Sequence, residues 1–171
     1  MNDLERLVTA YRARASSSAK SKLEVLMDLD RLPDSGVVPF LLKVLEDPHE
    51  CDEVRIYVVK RLRSRHRFPV PVDRQVLAHS VSKLLTDESN VQLRLQVALT
   101  LGDFTDIHGV LAWLSAVSLA ADESIDLRYA AFTSVERAGP TAESIAAMRR
   151  IAGDETLGDA ARSVLAAWHV A

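Results

Sequence analysis

The chain has one cysteine, Cys51, in its 171 residues. An internal disulfide is therefore excluded, and two acids beside that thiol make a reactive role the weaker reading. Aromatic residues make up only 5%, so the core must be built from Leu, Val and Ala. Six glycines and six prolines are too few for a collagenous or disordered chain. No apolar run approaches the roughly 18 residues that a membrane span needs. The first twenty residues carry Asp3 and Glu5 and no signal-type apolar core, which predicts a cytoplasmic protein. Chemistry is thinly represented too. None of the five histidines belongs to an H-E-x-x-H pattern or has a second ligand one helical turn away, and no glycine-rich phosphate loop occurs. These absences predict a protein with no metal, no cofactor and no catalytic residues.

What recurs is an arginine. Arg55, Arg94, Arg128 and Arg162 each open an apolar helical pattern, at spacings of 39, 34 and 34 residues. An acid-containing break precedes each: "LEDPHECDEVR", "LTDESNVQLR", "AADESIDLR" and "AGDETLGDAAR". Lys22 holds the equivalent place earlier. Three residues beyond the anchors stand Val25, Val58, Val97, Ala131 and Leu165; four beyond stand Leu26, Val59, Ala98, Phe132 and Ala166. Such aligned rows predict repeated helix pairs that bury their apolar faces against one another. The periodicity gives ten helices, at about 3–14, 19–32, 36–46, 52–65, 73–86, 90–102, 107–121, 125–138, 140–152 and 156 to the end. Residues 1–171 then form one all-α domain, with 1–35 as a terminal capping pair. Segment 64–72 is a basic, proline-containing loop between repeats, and it accounts for the longer first spacing.

A base in the first turn gains nothing from its own helix dipole, so its recurrence asks for another partner. The preceding acids supply one: Asp122 for Arg128, Asp87 or Glu88 for Arg94, and Asp154 for Arg162. In a stack, each base could also bridge to the acid of the next unit. These residues are expected to be structural anchors.

The stretches "DESIDLRYAAFTSVERAG" and "DESNVQLRLQVALTLGD" resemble HEAT repeats, notably the short bacterial type similar to phycobilisome-lyase-like sequences. The resemblance spans about residues 36–171, and 1–35 more loosely. It implies a right-handed α-solenoid of about five antiparallel helix pairs. It also implies a range of roles: adaptors and scaffolds, lyase-related proteins, and a few DNA glycosylases. The tetratricopeptide landmarks of Trp, Leu-Gly and Tyr are missing, as is the Thr-Pro-Leu-His turn of ankyrin units.

Charge is uneven. Residues 1–74 hold 14 Lys/Arg and 12 Asp/Glu, and residues 75–171 hold 7 and 12. Within 55–74, seven bases face Asp73 alone. Positions two and six beyond each anchor are expected to face away from the first helices of the pairs. A partner-binding face would then comprise Tyr57, Arg61, Gln96 and Thr100, with Lys60, Arg63, Arg65 and Arg67 as a basic patch. The favoured reading is a protein-interaction module or scaffold whose partner carries an acidic segment. The alternatives are nucleic-acid contact through segment 60–74 and a lyase- or glycosylase-related role. Trp168, near an apolar C-terminal edge, is either a weak self-association surface or a cover folded back over Ile145 and Met148.

Overall fold

The computed structural model describes residues 1–15, 18–63, 72–86 and 90–170. Among them, every regular element is helical. Ten α-helices follow in order: α1 Asp3–Arg12, α2 Ala19–Leu29, α3 Val37–Glu46, α4 Asp52–Arg63, α5 Arg74–Ser82, α6 Val91–Leu101, α7 Val110–Leu119, α8 Ile125–Glu136, α9 Ala142–Ile151 and α10 Gly158–Ala167. Two 3₁₀ turns, Lys83–Thr86 and Gly102–Phe104, extend α5 and α6. No helix among the described residues is long and apolar enough to cross a membrane.

Local chemistry explains the boundaries. Asn2 caps α1, accepting the Glu5 N–H at 2.7 Å while the Glu5 carboxylate accepts the Asn2 N–H at 3.0 Å. Asn90 caps α6 through Leu93 N–H at 2.8 Å. Thr141 and Ser144 cap α9 reciprocally, so that helix starts just after Pro140. The turn before α10 is closed by Asp154, whose Oδ1 accepts the N–H groups of Thr156 and Leu157 at 2.9 and 2.8 Å; the helix N-cap is Leu157, with no side-chain cap. Thr156, where the last helix is expected to begin, lies in that turn. At its other end α10 closes in a Schellman turn. Val170 N–H reaches Leu165 O, His169 N–H reaches Ala166 O, and His169 takes the left-handed conformation with φ 56°.

The contacts divide the chain into two compact units, Met1–Ser80 and Val81–Ala171, where the sequence reading carries one domain of 1–171. In the first unit, α1 packs on α2, α3 on α4, and α2 on α4. Its core includes Leu26, Leu29, Leu41, Leu45, Val58, Val59 and Leu62, all fully buried. In the second unit, α7 packs on α8 and α9 on α10, while α6 packs on α8 and α7 on α9. Leu93, Val97, Leu101, Phe104, Leu114, Leu127 and Met148 fill that core. Neighbouring helices thus bury one face along the pair and a second face against the next pair. The rows three and four beyond the anchors are apolar because these positions are buried, Ala166 on α10 excepted.

Candidate interaction surface

The anchor bases share one geometry. Arg55 donates from Nε to Leu45 O at 3.0 Å, Arg94 to Leu85 O at 2.6 Å, and Arg128 to Ser118 O at 2.9 Å. Arg162 donates from a terminal nitrogen to Ala152 O at 2.5 Å. Each acceptor lies nine or ten residues upstream, at the C-terminal end of the preceding helix or its 3₁₀ extension. Helix ends leave carbonyls unsatisfied and carry partial negative charge. The base thus completes the previous helix, not its own.

On Arg94 and Arg128 the remaining guanidinium nitrogens reach forward, whereas Arg55 and Arg162 meet Asp52 and Asp159 on their own helices. Arg94 makes a bidentate pair with Glu123, one arm at 2.8 Å, and Arg128 meets Asp154 at 2.7 Å. Lys22 does the same with both oxygens of Glu50 at 2.8 and 2.7 Å. The within-unit pairings drawn from the sequence are corrected here. Arg128 pairs with Asp154 of the following break, and Asp122 lies exposed. Asp154 belongs to Arg128 and not to Arg162, which meets Asp159 at the surface. Asp87 lies outside the described residues; the acid on Arg94 is Glu123. Spacing places an acid in each break, but which of two adjacent acids turns inward depends on the cap geometry of the break.

These groups are structural in their electrostatics too. Burial alone would raise the Glu50 carboxyl. Hydrogen bonds from Lys22, the Tyr11 hydroxyl at 2.6 Å and the Cys51 N–H outweigh it and hold the group below the usual carboxylate range. Burial and the neighbouring Glu50 charge push the Tyr11 phenol well above its ordinary value. The Leu157 N–H, ahead of Thr156 N–H and Arg128, holds Asp154 low against its own desolvation.

The expected binding face is corrected more sharply. Thr100 is fully buried, and so is Ser134, whose hydroxyl donates to Ala98 O at 2.8 Å. Ala130 and Val164 are buried as well. Gln96 is half-buried. The Tyr57 hydroxyl donates to Asp30 at 2.7 Å, and Arg61 Nε lies 2.6 Å from the same carboxylate. The latter contact is an ion pair lying off the line of the N–H bond. Tyr57 and Arg61 therefore tie α4 to the C-terminus of α2. Arg137 repeats the device in the second unit, binding Asp103 beyond the end of α6. Lys60 is exposed and Arg63 half-buried on α4. Arg65, Arg67 and most of segment 64–72 lie outside the described residues. Trp168 is half-buried at the C-cap of α10, beside buried Val164 and Leu165.

The outward rows are displaced by one residue, to three before and one and five after each anchor. On α6 they are Val91, Leu95 and Leu99; on α8 they are Ile125, Tyr129 and Thr133. Val91 and Ile125 are each 44% exposed and Tyr129 is 43% exposed. Leu95 and Leu99 are half-buried. The two helices run side by side with matching ends, joined near their starts by Arg94 and Glu123 and near their C-termini by Arg137 and Asp103. Their outward rows form one strip, apolar except for Thr133. The same rows are more polar elsewhere: Asp52 and Lys60 flank Ile56 on α4, and Asp159 and Ser163 precede Ala167 on α10. The missed signal was present in the sequence as Val, Leu, Ile and Tyr one position before the rows selected, a rotation of about 100° around the helix.

A second concavity, of about 450 Å³, lies on the α7 side of this unit and is lined by Leu85, Trp113, Ala116, Val117 and Ala120. The paired Arg94 and Glu123 stand at its edge. Among the described residues no three His, Cys, Asp or Glu side chains gather as cation ligands. No family model matches the chain, and no curated protein matches it.

Proposed function

We propose that this protein is a non-enzymatic interaction module, a short α-solenoid that presents a helix face to another protein. The repeated anchor geometry and the pairwise packing support reading the helices as stacked HEAT-like pairs. The observation that carries the functional reading is the apolar strip on α6 and α8. A soluble helix face that costs nothing to make polar, as α10 shows at the same positions, is apolar on these two neighbours. Contiguous exposed apolar side chains of this kind mark contact surfaces, and tyrosine is among the residues that dominate their energetics.

The buried bases argue against a row of arginines gripping an anionic ligand, because their donors are spent on helix ends and carboxylates. The test is affinity capture from native lysate with the wild type and with Leu95→Asp/Tyr129→Asp. Recovery of a stoichiometric protein that the variant loses is the expected result. Retention by the variant, or recovery of nucleic acid alone, overturns the reading.

A further inference from the structure

The geometry points to a basic amphipathic helix as the partner of the α6–α8 strip. This rests on the interaction-module reading and adds the chemistry of what is bound. The strip runs from three before to five after the anchor, about 12 Å of helix axis at 1.5 Å per residue. It is two helices wide. That matches two to three turns of a helix laid along the seam, with apolar side chains at i, i+3 or i+4, and i+7.

The charge on the border selects the sign of the partner. Asp126 and Glu136 on α8 and Asp122 in the turn before it are exposed, and none of the three meets a base among the described residues. The bases of α6 and α8 are engaged elsewhere: Arg94 and Arg128 are buried on their carboxylates, and Arg137, at the C-cap of α8, binds Asp103. The outward face of α6 adds Gln92 and no charge. An apolar strip with an uncompensated acidic border favours lysine or arginine on the flanks of its occupant. The same border disfavours a second copy docked by this face, since a two-fold contact would set like carboxylates opposite one another. It disfavours phosphate-bearing polymers and anionic lipid surfaces for the same reason.

The experiment uses the full chain and three 14-residue synthetic peptides, each carrying a fluorophore. One is of leucine and lysine with leucine at helical i, i+3, i+4 spacing. One replaces every lysine with glutamate, and one scrambles the leucine–lysine order so that no apolar face forms. Fluorescence anisotropy gives affinity, and amide chemical-shift mapping gives location. The expected result is saturable binding of the first peptide alone, with shifts centred on Val91, Leu95, Ile125 and Tyr129. Tyr129→Ala weakens it about tenfold. Asp126→Lys weakens it severalfold at 50 mM salt and less at 300 mM. Both side chains are exposed, and unchanged circular dichroism confirms that both variants fold. Equal binding of the scrambled or glutamate peptide, shifts centred elsewhere, or no binding at all overturns the basic-helix assignment. A concentration-dependent dimer abolished by Tyr129→Ala also overturns it, in favour of a second copy. None of these outcomes touches the capture result above, which stands or fails separately.

Discussion

At the scale of single residues, the recurrent arginine acts as a double tie. In Arg94 and Arg128 its Nε satisfies a carbonyl of the helix before it, and its terminal nitrogens reach the acid of the next break. Removing one partner of a buried pair leaves the other charge uncompensated, which costs about 3–5 kcal/mol. Arg128→Ala is expected to lose that much in urea unfolding. Arg162→Ala, whose ion pair with Asp159 is at the surface, is expected to lose about 1 kcal/mol or less. Equal losses would show that the anchors are not graded by burial. The lowered carboxyls of Glu50 and Asp154 set a pH dependence. Because the folded values lie below the unfolded ones, the unfolded chain binds more protons in acid. The stability these groups contribute is complete above the ordinary carboxylate range, about pH 4, and is lost as pH falls through the folded values. Glu50→Gln should be less stable at pH 7 and should show a shallower loss below pH 4. An unchanged acid slope would remove Glu50 from this role.

At the scale of elements, two close approaches hold α6 against α8. Gly102 is buried, and a Cβ there would stand 2.9 Å from both Ser134 Oγ and a terminal nitrogen of Arg137. Ser134 cannot retreat without breaking its bond to Ala98 O. Gly102→Ala is expected to destabilise by about 1–3 kcal/mol, read as a lowered thermal midpoint. At the end of α10, His169 occupies the left-handed position that glycine fills without cost. His169→Gly should raise stability by about 1 kcal/mol; a decrease would show that the imidazole makes a compensating contact. Helix existence was legible in the sequence, and each described helix falls within a few residues of its expected span. The period-3.6 pattern of Leu, Val and Ala is dictated by burial on one face. The outward rows are not legible in the sequence, because three small residues, Thr100, Ala130 and Ser134, are polar or neutral enough to look exposed. They are small because α6 and α8 approach closely there. Tyr57 and Arg61 carried a similar ambiguity. Tyrosine with arginine suits a contact surface, and it equally suits a junction where an inward carboxylate, Asp30, waits in the neighbouring helix.

At the scale of the whole molecule, charge and apolarity are segregated along the chain. Bases concentrate in 55–74, while 75–171 carries twelve acids against seven bases. The apolar strip lies in the acidic part. This arrangement separates the sequence reading, in which the basic segment seeks an acidic partner, from the reading built on α6 and α8, in which an acidic border receives a basic one. Photocrosslinking in the source cell distinguishes them and shows whether the α6–α8 strip is where a partner sits. A photoreactive phenylalanine analogue is placed in turn at Leu95, at Tyr129 and at Ser163, the last being the polar equivalent on α10. If the strip binds a partner, positions 95 and 129 give one protein adduct of the same size and position 163 gives none. No adduct at 95 or 129, or equal adducts at all three, would contradict it.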